Sequence, residues 1–202
     1  MDRVAAPFDV SKLNPVQRVL FRTFGRPRGV LGRLGGLVMA RGNRDMARRC
    51  IDLLQVQPGD AVLELGFGPG VAIELLARAG TAGRIVGLDP SQEMHRQAAA
   101  RNAEAIRAGR VRLDAGSATE LPYASASFDR ALAINTLQLW PDPSAGLREA
   151  HRVLKPGGRM VLGFTHRANQ ARAGLEQTVR SAGFDPVRLV DFGRDFALVA
   201  ER

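Results

Sequence analysis

The run VLELGFGPG, Val62 to Gly70, constrains the fold of this chain more than any other stretch. Apolar residues of strand character lead to Glu64 and Leu65. Gly66, Gly68 and Gly70 then turn the chain into a segment of helical spacing. Glycine has no Cβ, so such a turn lets a ligand come close to backbone amides at the start of a helix. Strand, tight turn and helix make the first half of a βαβ unit, which belongs in a parallel sheet covered on both faces. The expected class is α/β.

The rest of the chain keeps the same alternation. Further strands are expected at Ala61 to Leu65, Arg84 to Leu88, Val111 to Asp114, Phe128 to Ile134, Met160 to Phe164, Val187 to Val190 and Phe196 to Ala200. Helices are expected near 70–79, 91–108, 143–153 and 170–181, with Ser91 as an N-cap and Gly80 and Gly109 at helix ends. Pro156-Gly157-Gly158 predicts a turn before the fifth strand. Only Asp191 to Asp195 join the last two strands, too little for a crossover, so they should form an antiparallel hairpin.

A second motif gives the Gly-rich turn its meaning. GRIVGLDP places Asp89 at the end of the next strand, 19 positions after Gly70, where a carboxylate can accept hydrogen bonds from ribose hydroxyls. A nicotinamide cofactor uses similar logic, but its G-x-G-x-x-G fingerprint puts a glycine where this chain has Val71. Glu64 also sits just before the glycines, where it would repel a pyrophosphate and attract an ammonium or sulfonium. These residues favour S-adenosylmethionine over a dinucleotide.

ELGFGPG, GLDPSQEM, LPYASASFD and REAHRVLKPGGRMVL follow one another from about Pro58 to the C-terminus. In this order and spacing they resemble the Rossmann-like S-adenosylmethionine-dependent methyltransferases, in particular the small-molecule and lipid group that contains the ubiquinone-biosynthesis enzymes. The resemblance implies a seven-stranded sheet with helices on both faces and a final antiparallel hairpin. It implies that Gly66, Gly68 and Gly70 carry the loop facing the methionine moiety, with Glu64 beside it, and that Asp89 holds the ribose. Pro90 and Met94 would flank the adenine. Ser117 stands where relatives usually place an aspartate, and Ala118 would offer its backbone amide to the ring.

Asn135 ends the fourth strand and His166 follows the fifth, so both are expected at the crevice. Asn135 is a candidate contact to cofactor or acceptor, and His166 a candidate contact to the acceptor. Gln138 and Leu139 stand where many relatives carry a histidine, so that loop offers no base. Trp140 is either packing or a wall of the acceptor pocket. With no base identified, orientation of the acceptor is the expected source of catalysis.

Charge separates the chain into two parts. Residues 1–50 hold 11 Lys and Arg against 3 Asp and Glu, whereas residues 51–202 hold 18 against 17. Residues 1–57 are therefore expected to form a basic N-terminal helical arm or lid, and residues 58–202 the S-adenosylmethionine-binding methyltransferase domain. Asn14 to Phe24 and Arg41 to Leu54 have helical spacing, and the intervening stretch is rich in Gly and Arg. Met39, Arg41, Asn43 and Met46 are candidates to cover the crevice.

With 45% hydrophobic and 24% charged residues, and no apolar run near the ~20 residues of a membrane span, the composition is that of a globular protein expected in the cytoplasm. The single cysteine, Cys50, and three scattered histidines leave no expected metal site. The expected acceptor is a small hydrophobic metabolite or a lipid. The arm offers a possible peripheral contact with anionic membrane. Two alternatives stay open: a catalytically weak S-adenosylmethionine-binding module or sensor, and a nucleic-acid methyltransferase. The second has charge in its favour but no Pro-Pro-Tyr or Pro-Cys motif after the fourth strand.

Overall fold

The computed structural model describes residues 43–202. Along the chain a helix over 43–54 (α1) precedes β1 (Ala61–Leu65), α2 (Val71–Ala79), β2 (Arg84–Asp89), α3 (Gln92–Arg101), α4 (Ala103–Arg107) and β3 (Val111–Ala115). There follow β4 (Phe128–Ile134), α5 (Pro143–Val153), β5 (Leu154–Phe164), α6 (Leu175–Ser181), β6 (Val187–Phe192) and β7 (Asp195–Glu201). Short 3-10 turns lie at Leu137–Leu139 and His166–Ala168.

The strands form one seven-stranded sheet in the order β3-β2-β1-β4-β5-β7-β6. Pairing is parallel from β3 through β5, and β7 then runs antiparallel to both β5 and β6. The tight β6–β7 hairpin has Phe192 opposite Asp195 and Gly193 at φ 79°. This is the α/β architecture with a final antiparallel hairpin that the motif order implied.

Alternation along the strands divides the core. Leu63 and Leu65 of β1 join one cluster with Leu147 and Val153 of α5 and Val179 of α6, whereas Val62 joins another with residues of α1, α2 and α3. Successive strand residues point to opposite faces, so each face must be covered, and both are. Helix α1, expected as part of the arm, buries Met46, Ala47, Cys50 and Leu54 in the second cluster. Cys50 Sγ packs directly on the backbone of Gly163, so any side chain there would displace α1. The expectations for Asn14 to Phe24, for the Gly/Arg-rich stretch after it and for Met39 and Arg41 lie outside the described residues.

Three local expectations are corrected. The helix expected over 91–108 breaks at Asn102, whose buried side chain donates to Gly70 O (3.1 Å) and Ala98 O (2.9 Å) and so competes with the helical ladder. Pro156-Gly157-Gly158 does not precede β5 but bulges within it: Phe128 pairs with Leu154 while Arg130 pairs with Arg159. The last helix starts at Leu175 rather than 170, because Asn169 (φ 51°) and Gly174 (φ 73°) are left-handed. The expected caps are present, with Ser91 Oγ accepting from Met94 N at 3.4 Å and Gly80 closing α2 at φ 70°.

No helix among the described residues is long and apolar enough to cross a membrane.

Candidate active site

The strand order reverses between β1 and β4, and in such a sheet ligands bind beyond the carboxyl ends of the strands at that point. A cavity of about 530 Å3 opens there, lined from β1 and its loop by Glu64, Gly66, Phe67 and Gly68. Asp89, Pro90 and Met94 line it from the end of β2 and the start of α3, and Ser117 and Ala118 from the loop after β3. Its size lies within the ~300–1,000 Å3 typical of small-molecule sites.

The loop has its shape for identifiable reasons. Gly66 is left-handed at φ 74°, and a Cβ there would lie 2.5 Å from Thr136 Cγ2. Thr136 is itself held by donating from Oγ1 to Leu65 O at 3.0 Å. Gly68 is also left-handed, at φ 52°, but nothing lies within 4 Å of its missing Cβ, so its open side belongs to the cavity. Gly70 does not line the cavity. It seats the start of α2 against Ala98 and Asn102 of the neighbouring helix.

Asp89 clamps this loop to β2. Its Oδ2 accepts from Gly68 N at 2.9 Å and its Oδ1 from Ser91 N at 2.8 Å. A carboxylate oxygen has more than one acceptor direction, so both oxygens keep capacity for a ligand. Burial raises the Asp89 pKa, against the lowering effect of the two amides and His95. The His95 ring lies 3.0 Å from Asp89 O and packs edge-on against Phe67, at 4.9 Å between centroids.

Glu64 is the more unusual group. It is 3% exposed, lines the cavity, and its Oε2 has no hydrogen-bond partner among the described residues. Burial, then the charge of Asp89, push its pKa well above the ordinary carboxylate range, offset in part by a backbone hydrogen bond from Ile73. A buried acid in this state prefers its neutral form until a cation arrives.

The far side of the cavity is built by Asn43 and Ala47 of α1, by Asn135, Gln138, Leu139 and Trp140 after β4, and by Thr165, Arg167 and Ala168 after β5. Asn135 is left-handed at φ 56° and spends its side chain on protein. Its Nδ2 donates to Asn43 Oδ1 (3.0 Å) and its Oδ1 accepts from Thr165 N (2.8 Å), which ties the ends of β4 and β5 to α1. Gln138 Nε2 donates to Asn135 O at 2.9 Å, and Gln138 Oε1 is buried without a partner among the described residues. Trp140 is 6% exposed and both packs on Gly146 and lines the cavity.

His166 is not brought to the cavity. Its backbone N donates to Asp195 Oδ1 (2.8 Å), and its Nδ1 lies 3.0 Å from the same oxygen, while the next residue, Arg167, lines the cavity instead. Met46 lies in the core beneath Gly163 rather than on the cavity wall. Thr136, Ala47, Phe67 and Arg167 were not singled out from the sequence. Only Arg167 had a signal, its place beside a histidine already assigned to the crevice end of a strand.

A Gly-rich loop clamped by an acidic residue on the adjacent strand, in a sheet that ends in an antiparallel hairpin, defines the Rossmann-like methyltransferase class. A family model described as "Methyltransferase domain" matches residues 63–162. The chain belongs to the S-adenosylmethionine-dependent methyltransferases, and S-adenosylmethionine is its cofactor. Among relatives, the uncharacterized methyltransferase YdaC of Bacillus subtilis (strain 168) is 29% identical over 76% of this chain and 87% of that protein. The ubiquinone/menaquinone biosynthesis C-methyltransferase UbiE of Geotalea daltonii is 33% identical over 59% of this chain, which spans about half, 52%, of the relative's length. An S-adenosylmethionine-dependent methyltransferase structure from Aquifex aeolicus has the same fold, with a TM-score of 0.71 at 17% identity over 82% of this chain and 96% of the other.

Proposed function

We propose that this protein transfers a methyl group from S-adenosylmethionine to a small, largely apolar acceptor held on the far side of the cavity. The observation that carries the reading is Glu64, a buried carboxyl beside the cavity with one oxygen unpaired among the described residues. A ligand with an ammonium and a sulfonium supplies a partner that the described residues do not. In this reading the backbone at Gly66 and Gly68 follows the methionine moiety and Asp89 accepts from the ribose. Pro90 and Met94 flank the adenine. Ser117 Oγ is already engaged with Thr119 Oγ1 at 2.8 Å, so the Ala118 amide is the better contact for the ring edge.

When bound, the cofactor supplies the methyl group: the acceptor atom bonds to the methyl carbon as the carbon–sulfur bond breaks, S-adenosylhomocysteine departs, and any acceptor proton passes to water. The chain's own part is orientation, which can supply several kcal/mol of the barrier. Ala47, Leu139, Trp140 and Ala168 offer apolar walls. Asn135 acts by pinning β4, β5 and α1 around that space. His166, paired with Asp195 outside the cavity, has no part in the chemistry.

Two measurements test this. Between the unfolded and the raised folded pKa, an acid such as Glu64 stays protonated in the fold, so its contribution to stability falls as pH rises through that window. A cationic ligand reverses the preference. S-Adenosylhomocysteine binding at a pH within that window is therefore expected to release protons, detected calorimetrically in buffers of different ionisation enthalpy. Glu64→Gln should abolish the release, and equal release in both proteins contradicts the assignment.

The second measurement concerns residues 1–40. Deleting them is expected to leave S-adenosylhomocysteine affinity within a few-fold while methyl transfer, followed as S-adenosylhomocysteine formation, falls at least tenfold. Full turnover without the arm would show that the acceptor needs no cover from it. Flotation of the full chain with anionic vesicles separates a lipid acceptor from a soluble one, and cofactor binding without turnover on any acceptor would favour a sensor.

A further inference from the structure

We propose that Arg167 binds an anionic group on the methyl acceptor, so that the substrate is an apolar molecule carrying a carboxylate, phosphate or comparable anion. This rests on the reading of the cavity as a methyltransferase site, and adds the chemical class of its acceptor.

Arg167 is the only cation among the described residues that line the cavity. It belongs to the 3-10 turn after β5, where it is exposed on the acceptor side, opposite in sequence and place to Glu64 and Asp89 on β1 and β2. Several other arginines of the described residues are engaged within the protein. Arg44 and Arg101 reach Glu74 at 3.3 Å each, Arg172 reaches Asp191 at 3.2 Å, and the Arg49 guanidinium lies 4.8 Å from the Phe192 ring centroid. Asp195, the carboxylate closest in the fold to this turn, is taken by His166 through both its backbone and its ring. Among the described residues no carboxylate pairs with Arg167.

Residues 1–42 hold 8 Lys and Arg against 2 acids, Asp2 and Asp9, and the whole chain carries a net charge of +9, which favours anions over cations as partners. The acceptor side also holds apolar Ala47, Leu139, Trp140 and Ala168 beside the neutral amides and hydroxyl of Asn43, Asn135, Gln138 and Thr165, so Arg167 brings its one charge. Arginine presents several N–H groups in a planar fork that matches carboxylate and phosphate, and a hydrogen bond between charged partners is stronger than one between neutral ones. An ammonium acceptor would meet repulsion at the same place.

The test uses probes of one shape and different charge. Full-length protein saturated with S-adenosylhomocysteine is titrated with 1-naphthoate, 1-naphthamide and 1-naphthylmethylammonium, with naphthyl phosphate and decyl phosphate distinguishing a compact anion from a lipid-like one. The naphthoate is expected to bind about tenfold more tightly than the amide, and the ammonium most weakly, as expected for one charge-assisted contact. The preference should weaken with added salt.

Arg167→Gln should erase the anion preference and Arg167→Lys should restore part of it, with S-adenosylhomocysteine affinity unchanged in both. Arg167 is exposed, so neither substitution threatens the fold. Equal affinity for the three naphthyl probes, absence of binding by any of them, or a preference that survives Arg167→Gln overturns the proposal. Failure of the wild type to bind S-adenosylhomocysteine would instead overturn the reading of the cavity beneath it.

Discussion

Asp89→Ala is expected to weaken S-adenosylhomocysteine binding by roughly a hundredfold or more, the value of two hydrogen bonds to a charged acceptor at ~1.5–3 kcal/mol each. The same change strands the buried amide of Ser91 and the part-buried amide of Gly68, from which Asp89 now accepts at 2.8 and 2.9 Å. An unpaired buried amide such as that of Ser91 costs about 1–3 kcal/mol, so unfolding in urea should shift as well. Asp89→Asn separates the effects: its single amide oxygen can serve only one loop amide, and it brings an N–H₂ group to face the other. Affinity close to wild type in either variant, measured by calorimetry, would remove the ribose from Asp89.

The second large effect is expected at Gly66. An alanine there must adopt φ 74° and place a Cβ 2.5 Å from Thr136 Cγ2. Left-handed strain of ~1–2 kcal/mol and overpacking of ~1–3 kcal/mol add to a loss of about 2–5 kcal/mol. The loop must shift to relieve it, so cofactor binding should be lost together with stability. Gly109→Ala is the matched control: it is also left-handed, at φ 71°, but nothing lies within 4 Å of a Cβ there. It should cost about 1 kcal/mol and leave binding intact. Similar losses in the two variants, by thermal unfolding and calorimetry, would deny the Gly66–Thr136 contact its role.

The sheet was legible because its strands are short apolar runs separated by glycine and proline, and because a connection as short as Asp191 to Asp195 admits only a hairpin. The errors have tertiary causes. Nothing local marks Asn102 as a helix break; it breaks the helix because Gly70, 32 positions away, offers a carbonyl to its side chain. The bulge at Pro156-Gly157-Gly158 is pinned from the far end of the chain, with Gly157 N donating to Arg202 O at 2.7 Å.

The site divides in the same way. Glu64, the glycines and Asp89 lie in two contiguous motifs, so their chemistry can be read from spacing alone. The acceptor side is assembled from segments far apart in the chain, as in the amide contact between Asn43 and Asn135, 92 positions apart. Periodicity puts His166 and Arg167 together at the crevice end of β5, but it cannot tell which one turns toward Asp195 and which lines the cavity. The helical spacing of 43–54 was legible, yet its burial under Gly163 required the sheet.

A crystal structure of the protein with S-adenosylhomocysteine tests the central claim most directly. The account predicts the ribose hydroxyls within hydrogen-bond distance of Asp89, the adenine between Pro90, Met94 and the Ala118 amide, and the amino group close enough to Glu64 to give Oε2 its missing partner. A ligand bound elsewhere, or one in this cavity that leaves Glu64 and Asp89 untouched, would contradict it.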